Sequence, residues 1–175
     1  NVVLENPTAT NSESFGWSVA SSGDVNGDGF SDVIVGAYAY TTSRGRAYIF
    51  FGAGSMTSPD SSADVVLENP TATNSENFGI SVSFAGDVNG DGYSDVIVGA
   101  YQYTSFRGRA YIFFGASSMT SPDSSADVVL ENPTLTNSEY FGFSVSSAGD
   151  VNADGFSDVI VGAYVYTTSR GRAYI

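Results

Sequence analysis

Residues 24–37 read D-V-N-G-D-G-F-S-D-V-I-V-G-A, an acidic, glycine-rich loop that runs directly into a β-branched segment. The same pattern returns at residues 87–100 and 150–163, where Ala153 replaces the first glycine of the loop. Asp, Asn and Gly favour tight turns, whereas Val and Ile favour β-strands. The stretch therefore predicts a turn followed by a strand, three times in one chain.

The acidic loops recur with a period of 63 residues, and the whole chain of 175 residues follows this repeat. We divide it into units 1–63, 64–126 and 127–175, of which the last is shorter. A stacked solenoid is the alternative architecture, but solenoid units usually have roughly 20 to 47 residues. A unit of this length suits one blade of a β-propeller, which has four antiparallel strands.

The predicted fold class is therefore all-β, with three four-stranded propeller blades in one repeat array covering residues 1–175. In the first unit the four strands are predicted at Phe15–Ala20, Asp32–Ala37, Arg46–Gly52 and Asp64–Glu68. Propellers close with about 4 to 8 blades, so three blades do not complete a ring.

The two ends of the chain carry complementary strand types. Val2–Glu5 has the pattern of an outermost strand, and Arg172–Ile175 has that of a third strand without its outer neighbour. Unpaired sheet edges of this kind promote aggregation. We predict that Val2–Glu5 pairs with the third blade of a second copy, so that a homodimer closes a six-bladed ring. The alternative is that a longer parent supplies the missing blades.

Composition excludes several classes of function. The net charge is −13 and arginine is the only basic residue, so a nucleic-acid partner is excluded because its phosphates would be repelled. The chain has no Cys and no His, which removes thiol and imidazole chemistry. Its recurring carboxylates suit a metal better than glycosidase chemistry, so we expect no enzyme. No apolar run approaches the ~18 residues of a membrane span, so we expect no membrane insertion.

The acidic loops have the donor pattern of a calcium site. Side-chain oxygens at loop positions one, three, five and nine can surround a hard cation, with a backbone carbonyl at position seven. Calcium tolerates such a flexible cage better than magnesium does. We predict three calcium ions per chain, each held by four side chains and by the backbone carbonyl of the residue at position seven. The predicted ligands are Asp24, Asn26, Asp28, Phe30 and Asp32; Asp87, Asn89, Asp91, Tyr93 and Asp95; and Asp150, Asn152, Asp154, Phe156 and Asp158.

An EF-hand or a dockerin uses a similar loop but needs a helix after it. Here a β-branched strand follows, and the twelfth loop position, which would carry an acidic ligand, is Val35, Val98 or Val161. The EF-hand interpretation is therefore disfavoured.

Taken together, Phe15-Gly16, the acidic loop, the Gly36-Ala37 pair and the G-R-A-Y-I-F-F-G segment at 45–52 resemble the FG-GAP repeat of integrin α-subunit propellers. The resemblance covers the whole chain and implies a propeller with calcium in the loop between the first two strands of a blade. Integrin propellers have seven blades, whereas this chain offers three. Because such sites need extracellular calcium, we expect an extracellular or cell-surface location.

Otherwise near-identical units differ at positions that a meander places on one rim: Ser14, Asn77 and Tyr140; Ala39, Gln102 and Val165; and Ser43, Phe106 and Ser169. A protein or carbohydrate ligand could bind this rim. Three functions remain open: an integrin-like recognition or adhesion module, a lectin that reads sugars with Tyr38 and Tyr40, and a self-assembling repeat scaffold without a ligand. Trp17, Ile80 and Phe143 also differ and are expected on the innermost strand.

Two further features have structural interpretations. Every arginine belongs to an R-G-R pair, and we predict that one arginine per blade pairs with a carboxylate such as Glu13 or Glu68 and stacks on a tyrosine. Tyr48, Phe50 and Phe51 are expected to pack in the core or between blades rather than to form a sugar platform.

Overall fold

The computed structural model describes residues 1–8, 12–71, 75–134, 138–166 and 170–175. The gaps fall within the N-P-T-A-T-N-S-E segment at 6–13, within its two repeats, and at the variable Ser169.

The chain forms three antiparallel sheets, two of four strands and one of three, and the fourth strand of each four-stranded sheet comes from the start of the next unit. Each sheet is a meander in which consecutive strands are neighbours. The all-β class and the blade architecture are therefore confirmed. The strands are β1 (Ser18–Gly23), β2 (Asp32–Ala37), β3 (Arg46–Phe50) and β4 (Val65–Glu68); β5 (Ser81–Gly86), β6 (Asp95–Ala100), β7 (Arg109–Phe113) and β8 (Val128–Glu131); and β9 (Phe141–Gly149), β10 (Asp158–Ala163) and β11 (Arg172–Tyr174).

The three blades do not close a ring within the described part of one chain. In the third blade, β11 lies at the edge of the sheet and β9 at the other edge. Two four-residue helical turns, α1 (Tyr40–Ser43) and α2 (Tyr103–Phe106), connect the second and third strands of the first two blades.

The predicted start of the first strand was wrong in the first unit. Residues 15–17 form a turn, in which the Trp17 N–H donates to the Ser14 carbonyl at 3.1 Å. Gly16 has a φ of +85°, outside the extended region, and pairing with β2 begins at Ser18. The third strand ends at Phe50 rather than Gly52, because the Gly52 N–H donates to a carboxylate.

Adjacent blades interlock where the Phe-Gly pair of one unit meets the Gly-Ala end of the preceding second strand. A Cβ on Gly36 would collide with the carbonyl oxygen of Gly79, and Gly99 lies against Gly142 in the same way. The Ser18 hydroxyl donates to that Gly79 carbonyl at 2.9 Å. Only glycine permits so close a backbone approach. These paired glycines therefore hold successive blades in position.

The apolar core lies largely between the blades. One cluster joins Ile34 and Ile49 of the first blade to residues of the second, and another joins Ile97 and Ile112 of the second blade to residues of the third. Tyr48 and Phe50 are fully buried, as predicted for core aromatics. Blade position thus depends on side chains from both neighbours.

The N-terminal segment pairs within its own chain. Leu4 forms a parallel bridge with Asp60, with hydrogen bonds of 2.7 Å from the Glu5 N–H and 2.8 Å to the Val3 carbonyl. β4 makes the same bridge to the next long loop through Leu67. Residues 2–5 therefore lie where the fourth strand of a preceding blade would lie. Their pairing with a second copy stays a prediction.

Candidate metal loops

The fifteen predicted calcium ligands lie in the connections between the first and second strands, or at the first residue of the second strand. In the first unit this connection spans residues 24–31, between β1 and Asp32 of β2. The fold therefore places each set in one short connection between paired strands, and the role of these residues as ligands stays a prediction.

Asp24 organises the first loop with its carboxylate. Its Oδ1 accepts hydrogen bonds from the N–H groups of Gly27 and Asp28 at 2.7 and 3.0 Å, and its Oδ2 accepts one from Gly29 at 2.9 Å. The second loop repeats this pattern around Asp87. The position-one aspartate thus satisfies backbone donors that a loop of this shape would otherwise leave unpaired.

The middle positions form a second set of contacts. The Asn26 carboxamide accepts from the Asp28 N–H at 2.9 Å and donates to the Asp28 carboxylate at 2.9 Å. That carboxylate in turn accepts from the Phe30 N–H at 2.9 Å. Side chains at positions one, three and five are therefore held by the loop itself; Asp28 is exposed, and Asp24 and Asn26 are half-buried.

The position-nine aspartate has a different environment. Asp32 is fully buried, and it accepts hydrogen bonds from the Val25 N–H at 2.8 Å and the Gly52 N–H at 2.7 Å. Asp95 is equally buried and has the equivalent partners. This carboxylate therefore fastens the loop to the end of the third strand, a role that the sequence did not reveal.

The loop carboxylates influence one another electrostatically. Burial raises the pKa of Asp32, and the negative charges of Asp28 and Asp24 raise it further, while its two backbone hydrogen bonds lower it. Burial likewise raises the pKa of Asp95. The repulsion among three carboxylates in one loop is a cost that a bound cation would relieve.

The donor set fits calcium by its chemistry. Each loop offers carboxylate, carboxamide and carbonyl oxygens, with neither sulfur nor imidazole. In the described residues, however, no three Asp, Glu, His or Cys side chains converge closely enough to hold a metal ion. Asn26 also presents its N–H₂ group to Asp28. Cation binding therefore requires loop side chains to turn from their backbone partners toward one centre.

The third loop differs from the other two. Ala153 has a left-handed backbone, with φ of +61°, where the other loops have glycine. Asp158 keeps the hydrogen bond from the Val151 N–H at 2.9 Å but is only partly buried. Val151 is 55% exposed, whereas the equivalent Val25 is fully buried.

Each acidic loop also contacts the loop of the next unit. The Asp24 N–H donates to the Ser94 hydroxyl at 3.1 Å, and the Ser94 N–H donates to the Asp24 carbonyl at 3.0 Å. The Ser157 N–H donates to the Asp87 carbonyl at 3.0 Å. Sequence reasoning missed these contacts, although a serine recurs at position eight of every loop.

The R-G-R arginines of the first two units form ion pairs with a carboxylate, as predicted. Glu68 pairs with Arg46 and with Arg44, the latter at 3.5 Å. The Arg46 guanidinium lies 3.7 Å from the ring centre of Tyr40, so one face of a ring that the lectin interpretation would use is already covered. The prediction of Glu68 as a partner is confirmed.

The variable positions of units two and three meet at the strand ends opposite the acidic loops. Phe106 and Tyr140 stack with ring centres 4.9 Å apart, and Tyr140 stacks on Tyr101 at 5.5 Å. Phe143 contacts Tyr101 and Tyr164 at 5.3 and 4.8 Å. We call these five residues the aromatic cluster. In unit one, Trp17 contacts only Tyr38 among the described aromatic rings, at 5.0 Å.

Within the described ranges, no helix is long and apolar enough to cross a membrane.

Several integrin α subunits are similar to most of this chain. Integrin alpha-IIb of Mus musculus is 40% identical over 162 residues, which cover 86% of the chain and 15% of that protein. Integrin alpha-PS2 of Drosophila melanogaster is 34% identical over 164 residues, covering 87% and 12%. Integrin alpha-2 of Bos taurus is 35% identical over 157 residues, covering 86% and 13%. The chain thus spans less than a sixth of the length of these relatives.

The FG-GAP repeat matches the chain three times, at residues 15–50, 78–113 and 141–175. Each match begins at a Phe-Gly pair, contains one acidic loop and ends in the third strand of a blade. Together the matches account for more than half of the sequence. The chain therefore belongs to the FG-GAP repeat family.

Proposed function

We propose that this chain is a calcium-stabilised, integrin-like propeller module that serves extracellular recognition or adhesion and not catalysis. The observation that carries the proposal is the recurrence of one acidic loop at the same place in each blade, with its last carboxylate fastened to the third strand in the first two. Adhesion is the role suggested by the similarity to integrin α subunits.

Calcium would act structurally in this proposal. The predicted ligands would surround an ion, whose charge would offset the repulsion from Asp28 and Asp24 that adds to burial in raising the pKa of Asp32. Binding to the folded state alone stabilises it by RT ln(1 + [L]/Kd), which is about 1.8 kcal/mol per site at a twentyfold excess over Kd. Three independent sites would contribute about 5 kcal/mol, comparable with the net stability of a domain.

The aromatic cluster supports recognition at the opposite strand ends. Phe143 is 43% and Tyr164 50% exposed, and the rings of the cluster contact one another without a charged partner in the described structure. Aromatic residues dominate the energetics of protein interfaces. A binding surface here leaves the acidic loops free for calcium, which supports separate structural and recognition roles.

Isothermal calorimetry with calcium tests the proposal directly. Wild-type protein is expected to bind three ions per chain, and Asp28→Asn is expected to bind two because it removes one charged ligand. Glu5→Gln removes the same charge outside the loops and should still bind three. The calcium proposal would be refuted if wild type gave no heat of calcium binding, or if Asp28→Asn and Glu5→Gln bound the same number of calcium ions.

Adhesion is tested with the same protein coated on a surface. Cell attachment that requires calcium and is lost in chelator is the expected result. Attachment that does not differ from an albumin-coated surface would refute the adhesive role while leaving the calcium result unaffected.

A further inference from the structure

The acidic loops of neighbouring units are joined by reciprocal backbone contacts. Asp24 donates its N–H to the Ser94 hydroxyl and accepts the Ser94 N–H at its carbonyl, at 3.1 and 3.0 Å. Asp87 accepts the Ser157 N–H in the same way, at 3.0 Å. The residue expected to be the first cation ligand of one loop is thus fixed by the loop that follows it.

An aromatic ring strengthens the same contact. A Cβ on Gly27 would lie 2.6 Å from the Tyr93 ring, and a Cβ on Gly90 would lie 2.5 Å from the Phe156 ring. The ring at position seven of one loop therefore lies directly over position four of the preceding loop, with no space for a side chain between them. We call this ring together with the serine contact the loop joint.

The loop joint also buries part of the preceding loop. The Ala116 N–H, beyond the third strand of unit two, donates to the Val25 carbonyl at 2.9 Å. Val25 is fully buried beneath this contact. The first acidic loop is therefore restrained by three groups of the second unit: a ring, a serine and a backbone N–H.

The residues of the joint link two predicted cation sites. Tyr93 is expected to offer its carbonyl to a cation in the second loop, while its ring lies on the first loop. Ser94 is the next residue and holds Asp24 of the first loop. Ordering residues 93 and 94 by a cation in the second loop would therefore restrict the first loop before its own cation binds.

We propose that cation binding to successive acidic loops is positively coupled through the loop joints. This inference rests on the calcium binding proposed above. Coupling between sites is reciprocal. A change that weakens the loop joint must therefore weaken cation binding, and cation binding must stabilise the loop joint by the same factor. The restriction of loop freedom before the second ion binds supplies the free energy of coupling.

Ser94→Ala tests the coupling, because this residue is not a predicted ligand. Removing its hydroxyl leaves the Asp24 N–H without its acceptor and should weaken calcium binding by about fivefold or more, the lower end of typical coupling. Ser31→Ala is the matched control: Ser31 holds the same loop position in unit one, is exposed, and has no preceding loop in this chain. Its isotherm should match that of wild type.

The shape of the wild-type isotherm is the second readout, and it distinguishes the two proposals. Positive cooperativity that Ser94→Ala reduces and Ser31→Ala preserves is the expected result. Three independent sites in wild type, or equal affinities in the two variants, would overturn the coupling and leave calcium binding intact. No calcium binding by wild type would overturn both.

Thermal unfolding shows whether the effect is only structural. Coupling requires Ser94→Ala to lower the unfolding temperature more in saturating calcium than in chelator. An equal loss under both conditions would show that the joint stabilises the protein without linking the loops, and would overturn the inference.

Discussion

Phe78 is the most sensitive test of the inter-blade packing. Its ring is fully buried and contacts Tyr111 and Phe113 at 5.7 and 6.1 Å, and its backbone bridges to Gly45 of the preceding blade. Replacing a fully buried Phe with Ala costs roughly 3–5 kcal/mol. For a protein of this size each kcal/mol lowers the unfolding temperature by about 2–4 °C, so Phe78→Ala should lower it by about 6–20 °C.

Phe15→Ala provides the matched control in the same chain. Phe15 makes the equivalent contacts with Tyr48 and Phe50, at 5.7 and 6.2 Å, but is only partly buried because no earlier blade covers it in the described structure. Phe15→Ala should therefore lower the free energy of unfolding by about half as much as Phe78→Ala, or less. Thermal unfolding followed by circular dichroism measures both variants. An equal or larger effect of Phe15→Ala would refute the view that stability resides between the blades.

Two further predictions concern charged and titrating groups. Glu68→Gln should destabilise the first blade by about 1–2 kcal/mol, seen as a lower urea midpoint, because Arg44 and Arg46 lose a largely buried charged partner; an unchanged midpoint would contradict this. Burial raises the pKa of Tyr111 from 10.0 to about 12. Its contribution to stability is therefore complete below pH 10 and falls by roughly 1.4 kcal/mol per unit as the pH rises toward 12. Tyr111→Phe should reduce this alkaline loss; an identical pH profile would refute the assignment.

Much of the fold followed from local sequence. The second strand of every blade, such as Asp32–Ala37, agrees with its prediction because a β-branched run follows a turn that can hardly continue as a helix. One arginine of the R-G-R pair was predicted to partner a carboxylate such as Glu13 or Glu68, and the register places Arg46 directly opposite Glu68. These features depend only on residues within one blade.

What escaped prediction depends on contacts between residues that are far apart in the sequence. The first strand begins later than expected because residues 15–17 form a turn, in which the Gly16 N–H donates to the Gly36 carbonyl of the second strand. Asp32 was expected only as a ligand, yet its buried carboxylate also anchors Gly52, since a residue count cannot show what lies across a sheet. Ser94 carried no motif, and its importance appears only when two loops are placed side by side.

The glycine contacts between blades have a consequence for how such genes lengthen. Gly36 contacts Gly79, and Gly99 contacts Gly142, so each of these contacts uses one glycine from the end of a second strand and one from the Phe-Gly pair of the next unit. Every unit contains both of these glycines. An in-frame duplication of 63 residues therefore creates a new boundary that already fits, without compensating substitutions. Recombination between near-identical units can thus add or delete whole blades while keeping these contacts between neighbours.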